Sequence, residues 1–249
     1  MIILKTAKEL AIMRESGIIT ANAIKTAEKY CKPGYTTKQI AAKIEEYLTS
    51  KGAVPSFLGY RGFTGVACIS VNDEVIHGIP GARRLNEGDI VSVDIGSMYK
   101  GYHTDSSYTF KVGTVDPKIE KLLKTTKKCL HEAIAKSKIG NRVGDISHTV
   151  QTIAEKSGFG VVRDYVGHGI GKNLHESPDI PNFGAAGRGA RLMAGMTMAI
   201  EPMINAGSEK VFRENDGWTI KTMDGSVSAH FEHTVAITHD GPVILTSLE

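Results

Sequence analysis

Cysteine is scarce in this chain of 249 residues: Cys31, Cys68 and Cys129 are odd in number, widely spaced and form no CxxC pair. A disulfide framework and a cysteine-based zinc site are therefore not expected, and the usage fits a reducing cytoplasm. Long apolar runs are also lacking. Stretches such as Ile90–Ile95 are interrupted by Ser or Asp and fall far short of a membrane span. The opening MIILKTAKEL has no basic start, apolar block and small-residue cleavage site, so no export signal is read there. An excess of either charge is missing too: 30 Lys and Arg against 27 Asp and Glu leave +3, too weak a balance to imply nucleic-acid binding. Aromatics are sparse at 6%, yet 41% hydrophobic and 23% charged residues are ordinary globular values. A chain of this length buries a real core without staples.

What is present is an internal repeat. Thr6 with Glu9 reads as a capping box opening a helix through Leu10, Met13, Gly17, Ala21 and Ile24, stopped by Lys32-Pro33-Gly34. Thr36 with Gln39 opens a second helix carrying Ile40, Ile44, Tyr47 and Leu48, closed by Gly52. Strand-like runs follow at Val66–Val71 and Ile90–Ile95. After Asp116-Pro117, an N-cap followed by proline, the order recurs. Gly140, Ile146, Val150 and Gly158 each stand 106 residues beyond Gly34, Ile40, Ile44 and Gly52. Leu192 and Gly195 stand 107 beyond Leu85 and Gly88, as Glu201 does beyond Asp94. Two duplicated α+β halves, approximately 6–112 and 116–240 of a single domain 1–249, explain this better than a solenoid. A pseudo-twofold would set equivalent residues face to face across a shared seam.

Alternation in Ile90–Gly96 puts Ser92 and Asp94 on one strand face and Val91, Val93 and Ile95 on the other. A hairpin turning over Gly96–Gly101 brings Asp94 and Asp105 side by side. Glu201 and Glu232, 31 residues apart, occupy the corresponding places in the second half. Four acids converging in one pocket repel and force protonation unless divalent cations compensate, and oxygen ligands suit a pair of such ions. His77 in HGIPG, and His168 and His175 in GHGIGKNLHE, sit among glycines that let the backbone approach a ligand. The seven-residue spacing of His168 and His175 requires that stretch to bend if both serve one site. A nitrogen ligand among carboxylates shifts preference from Mg or Ca toward Mn, Fe, Co, Zn or Ni. The stretch Gly167–Lys172 has the wrong spacing for a phosphate loop, and GxGxxG after a strand, HExxH and GxSxG are absent.

The segments HGIPG (77–81), VSVDIGSMYKGYHTDSSYTF (91–110), GHGIGKNLHE (167–176), MAIEP (198–202) and FEHTVAIT (231–238) resemble type I methionine aminopeptidase in its minimal bacterial form. The resemblance spans nearly the whole chain in order. It implies the α+β pita-bread fold of the creatinase and aminopeptidase class, two pseudo-twofold halves around a central antiparallel sheet. It implies a dinuclear metal site on Asp94, Asp105, His168, Glu201 and Glu232, with Glu201 also the general base. His77 and His175 match the two substrate-contacting histidines, and Phe57, Tyr60, Phe63, Cys68, Leu174 and Trp218 the methionine pocket. The implied activity is excision of the initiator methionine from nascent polypeptides whose second residue is small, by a cytoplasmic monomer. An X-Pro aminopeptidase or prolidase on the same fold, or a non-catalytic pita-bread binding protein, are the alternatives. The Lys118–Lys138 helix carries seven lysines against Glu120 and Glu132, a basic face that could turn toward the ribosome.

Overall fold

The structure, a computed structural model, describes residues 1–248. Helices α1 (Ala7–Glu28) and α2 (Thr37–Ser50) precede strands β1 (Val54–Pro55), β2 (Cys68–Val71) and β3 (Glu74–Ile76) and the long hairpin of β4 (Ile90–Tyr99) and β5 (Tyr102–Lys111). Helices α3 (Pro117–Lys136) and α4 (Val143–Lys156) lead into β6 (Gly160–Val161), β7 (Gly167–Gly169), β8 (Glu176–Ile180) and β9 (Thr197–Ile200). The chain ends with β10 (Met203–Asn205), β11 (Val211–Arg213), β12 (Ile220–Thr222), β13 (Ser228–His230), β14 (His233–Thr238) and β15 (Gly241–Ile244). No helix among the described residues is long and apolar enough to cross a membrane.

Local chemistry starts each helix. The Thr6 hydroxyl accepts from the Glu9 amide while the Glu9 carboxylate accepts from the Thr6 amide, and Thr36 and Gln39 repeat the exchange. In α3 the Asp116 carboxylate accepts from the Lys118 amide at 2.7 Å, with Pro117 first in the helix. That helix ends at Lys136, so Lys138, counted in the basic helix read from the sequence, lies outside it. The backbone leaves the helical region at Ser137, with ψ 61°, and Asn141 Nδ2 donates to the freed Lys136 carbonyl at 2.8 Å.

The repeat spacing reappears as repeated bonds. The Leu85 amide donates to the Tyr35 carbonyl and the Leu192 amide to the Asn141 carbonyl, both at 2.9 Å. Thr37 donates to Arg83, and Val143 to Ala190, both at 3.0 Å. Gly88 and Gly195 hold matching left-handed turns, φ 89° and 87°, which a side chain would strain.

Every strand pairing is antiparallel. In the first half β4 pairs with β1, β2 and β5; in the second the order is β15-β14-β9-β7-β8. Val91, Val93 and Ile95 pack on Ile40, Ile44 and Leu48 of α2, all below 2% exposed. Met198, Ile200, Val235 and Ile237 pack on Leu122, Leu130, Ile146 and Val150 of α3 and α4. Each such side chain contributes about 1.5–3 kcal/mol of burial. The opposite face of β4, with Ser92 and Asp94, is buried as well, because β5 meets the residues leading into β14 there. The Glu232 amide donates to the Ser107 carbonyl at 2.9 Å, and the His230 amide to Thr109 Oγ1 at 2.9 Å.

The hairpin differs from expectation in one respect. Strand β4 runs on to Tyr99, leaving only Lys100 and Gly101 as the turn, both left-handed at φ 50° and 80°. Such two-residue turns match strand twist. They also set register: Asp94 stands opposite Ser107, and Asp105 opposite Gly96. The two aspartates share a face as diagonal rather than direct neighbours.

Candidate active site

A cavity of about 180 Å³ opens between the halves, and every site residue expected from the sequence lines it. Asp94 comes from the middle of β4, Asp105 from β5 and His168 from β7; Glu201 follows β9 and Glu232 precedes β14. Ligating atoms of Asp105, His168 and Glu232 all lie within 4.8 Å of one another. Glu201 Oε1 lies 3.8 Å from His168 Nε2.

The ion contacts of these acids, among the described residues, are with the imidazoles of His168 and His230, both held neutral by burial. Among the described residues, Asp94 Oδ1, Asp105 Oδ1 and Glu232 Oε1 are buried without a hydrogen-bond partner. Burial, reinforced by the neighbouring carboxylates, pushes Asp94, Glu201 and Glu232 well above the usual carboxylate range. Burial lifts Asp105 to about 7. His168 Nδ1 pairs with the Gly169 carbonyl at 2.8 Å, which assigns the proton to Nδ1 and leaves the Nε2 lone pair facing the acids. Burial lowers its pKa to about 4, so it is neutral near pH 7. Orphaned buried oxygens around a neutral imidazole form a donor set that fits divalent cations.

His77 follows β3 with a left-handed φ of 60°, uncommon for a side-chain-bearing residue. Gly78 permits this turn, because a Cβ there would run into the Ile69 carbonyl. The His77 ring is edge-on to Tyr165 at 5.9 Å and to Trp218 at 6.3 Å. Burial lowers its pKa to about 4. The bend between β7 and β8 brings His175 back over His168, with ring centroids 4.0 Å apart. His175 stays exposed on the cavity rim, stacked on Tyr60 at 5.2 Å and 16°.

Beside the acids lie Phe57, Tyr60, Phe63, Cys68, Leu174 and Trp218. Phe63 and Trp218 meet edge to face at 5.1 Å. Phe57 is seated by Gly96, where any Cβ would strike its ring. The sequence reading missed Arg61, Ile76, Tyr165 and Val166, which also line the cavity. It missed His230 too, whose Nε2 lies 3.5 Å from Glu201 Oε2 in a fully buried position. Its place two residues before Glu232 was the available signal; the others neighbour His77 or His168 in the chain, or adjoin Tyr60, with no spacing rule to single them out.

Comparison with known proteins agrees with this arrangement. Residues 11–239 match the profile of metallopeptidase family M24. Methionine aminopeptidase 1 of Bacillus subtilis is 50% identical over 99% of both chains. The crystal structure of methionine aminopeptidase from Thermotoga maritima superposes with a TM-score of 0.98 at 44% identity, covering 99% of this chain and 100% of that one. A prolidase from Pyrococcus furiosus reaches a TM-score of 0.81 at 25% identity, and the match spans 66% of its length. The fold is thus the pita-bread fold expected above, and neither alternative reading is favoured. The chain belongs to metallopeptidase family M24, where its full-length relatives are methionine aminopeptidases.

Proposed function

We propose that this chain releases N-terminal methionine from polypeptides whose second residue is small. One observation carries the reading: Asp105, His168 and Glu232, their ligating atoms within 4.8 Å of one another, share a cavity with Asp94, Glu201 and an apolar, aromatic pocket. Apolar and aromatic walls suit a thioether side chain.

Asp94, Asp105, His168, Glu201 and Glu232 would hold two divalent ions from the group Mn, Fe, Co, Zn and Ni. When bound, such ions supply Lewis acidity, lowering the pKa of a water and polarising the scissile carbonyl. Glu201, whose carboxyl burial and the neighbouring Asp105 push well above the usual carboxylate range, takes the proton from the attacking water and passes it to the leaving amine. His175, neutral and at the rim beside His168, donates its N–H to the carbonyl oxygen as negative charge develops there. His77, oriented by Tyr165 and Trp218, contacts the scissile-bond nitrogen. The aromatic walls orient the substrate so that its first peptide bond lies over the carboxylates.

The substrates are nascent chain N-termini, met by a monomer in the cytoplasm. A ribosome contact through α3 rests on its charge alone. Lys121 lies over the Phe159 ring and Lys127 over Tyr108, and Lys111 pairs with Glu120, so part of that charge is engaged locally. Cosedimentation with ribosomes, compared with a Lys118, Lys124 and Lys128 charge-reversal variant, tests it.

The activity is tested by release of free Met from Met-Ala-Ser against release of Ala from Ala-Pro peptides, each with and without chelator. Chelator-sensitive cleavage of Met-Ala-Ser alone is expected. Cleavage before proline instead would overturn the reading.

A further inference from the structure

We infer that the buried Lys5–Glu176 ion pair holds the loop carrying His175 in its working position, making Lys5 a positioning residue for the reaction. The inference rests on the reading of His175 as the donor to the carbonyl oxygen.

Glu176 follows His175 directly and begins β8. Its Oε2 lies 2.5 Å from Lys5 Nζ, and the two side chains are 3% and 2% exposed although 171 residues separate them. Lys5 is itself anchored: its amide donates to the Gly195 carbonyl at 2.7 Å and its Nζ also reaches the Ile3 carbonyl at 3.1 Å. Glu176 Oε1 accepts from the Asn173 amide at 3.2 Å, so one carboxylate grips both the loop and the lysine. The fit is tight. A Cβ at Gly171 would strike Lys5 Cε and the Glu176 carboxylate.

Other bonds hold the start of the loop. The His103 amide donates to the Gly171 carbonyl at 2.8 Å, and Thr197 Oγ1 to the Ile170 carbonyl at 2.5 Å. At the far end of the loop Glu176, next to His175 in the chain, is the residue that carries the polar anchors. The other pairing of this loop with the N-terminal region, Lys172 with Glu9 at 4.0 Å, has its lysine 68% exposed and carries little energy. Burying a pair of ions costs several kcal/mol per ion, so such a pair is poor evidence for a stabilising role alone. Its use is directional: it fixes the loop between β7 and β8, where Gly171 would otherwise leave the backbone leading to His175 free to shift. Lys5 does not line the cavity, so it acts only through Glu176.

A double-mutant cycle tests this. Lys5→Met keeps the stem and removes the charge; it is expected to lower kcat for Met-Ala-Ser by about 10- to 100-fold, the scale of a misplacement of about 1 Å, with KM and metal content unchanged. Lys5→Arg is expected to restore most of the loss. In a His175→Ala background, Lys5→Met is expected to cost less than about 3-fold further, because the group being positioned is gone. Should Lys5→Met fail to fold, as thermal melting would reveal, Glu176→Gln enters the same cycle with the same expectation. Equal losses in both backgrounds, or a loss confined to KM, would overturn the positioning role. Near-normal turnover of His175→Ala on its own would instead sink the reading of His175, leaving the two failures distinguishable.

Discussion

Asp105 and Thr234 clasp each other across the seam between the two halves: the Asp105 amide donates to Thr234 Oγ1 at 2.8 Å, and that hydroxyl donates to the Asp105 carbonyl at 2.8 Å. Thr234 is fully buried, so one side chain satisfies both backbone groups of a residue in the carboxylate cluster.

Thr234→Val keeps the shape and leaves both groups unpaired. Each buried orphan costs about 1–3 kcal/mol, so the thermal midpoint should fall by several degrees. Divalent cation affinity, measured by calorimetry, should weaken as the backbone bearing Asp105 loosens. An unchanged midpoint would show that water replaces the hydroxyl.

Asp105→Asn and Glu232→Gln should lose metal and activity together, read by elemental analysis and turnover. The chelated protein gives a second readout. Folded Asp105 keeps its proton up to about pH 7 but loses it near the ordinary carboxylate value when unfolded. Through that interval the folded state holds more protons, so this group lowers stability as pH rises. The amide introduced by Asp105→Asn cannot titrate. The stability gap in favour of the variant should widen from mildly acidic to neutral pH by up to about 1.4 kcal/mol per pH unit, and close when divalent cation is added to the parent. A gap independent of pH would contradict the assigned proton.

His175→Ala and Trp218→Ala should split the kinetic constants. The first should lower kcat about 10²-fold or more with metal content intact, as for a lost donor to the carbonyl oxygen. The second removes pocket wall packed on Phe63 and should mainly raise KM for Met peptides, by about 10-fold. Metal loss in His175→Ala would make that residue a ligand.

Gly17→Ala should destabilise although it lies inside α1. Helix propensity alone favours alanine by about 1 kcal/mol. Here the added Cβ meets the backbone carbonyl of Leu245, so α1 must lift from the C-terminal segment. A lower thermal midpoint is expected; a higher one would mean the C-terminal segment yields easily.

Sequence alone determined what is local or periodic. Capping boxes at Thr6 and Thr36 act within four residues, so they are legible wherever they occur. Strand alternation placed Val91, Val93 and Ile95 on the core side of β4, and the spacing of the repeat placed Glu201 as the counterpart of Asp94. The types of donor, and the five family segments, were also there to read. Tertiary structure decided how these parts meet. The diagonal register of Asp94 and Asp105 depends on a turn shorter by four residues than the glycines suggested. The stacking of His175 between Tyr60 and His168 depends on a bend, and the pairing of Lys5 with Glu176 joins distant parts of the chain with no shared pattern. His230 reached Glu201 the same way. Contacts of this kind are chosen by packing and loop closure over the whole molecule, and neither leaves a periodic trace in the residues that make them.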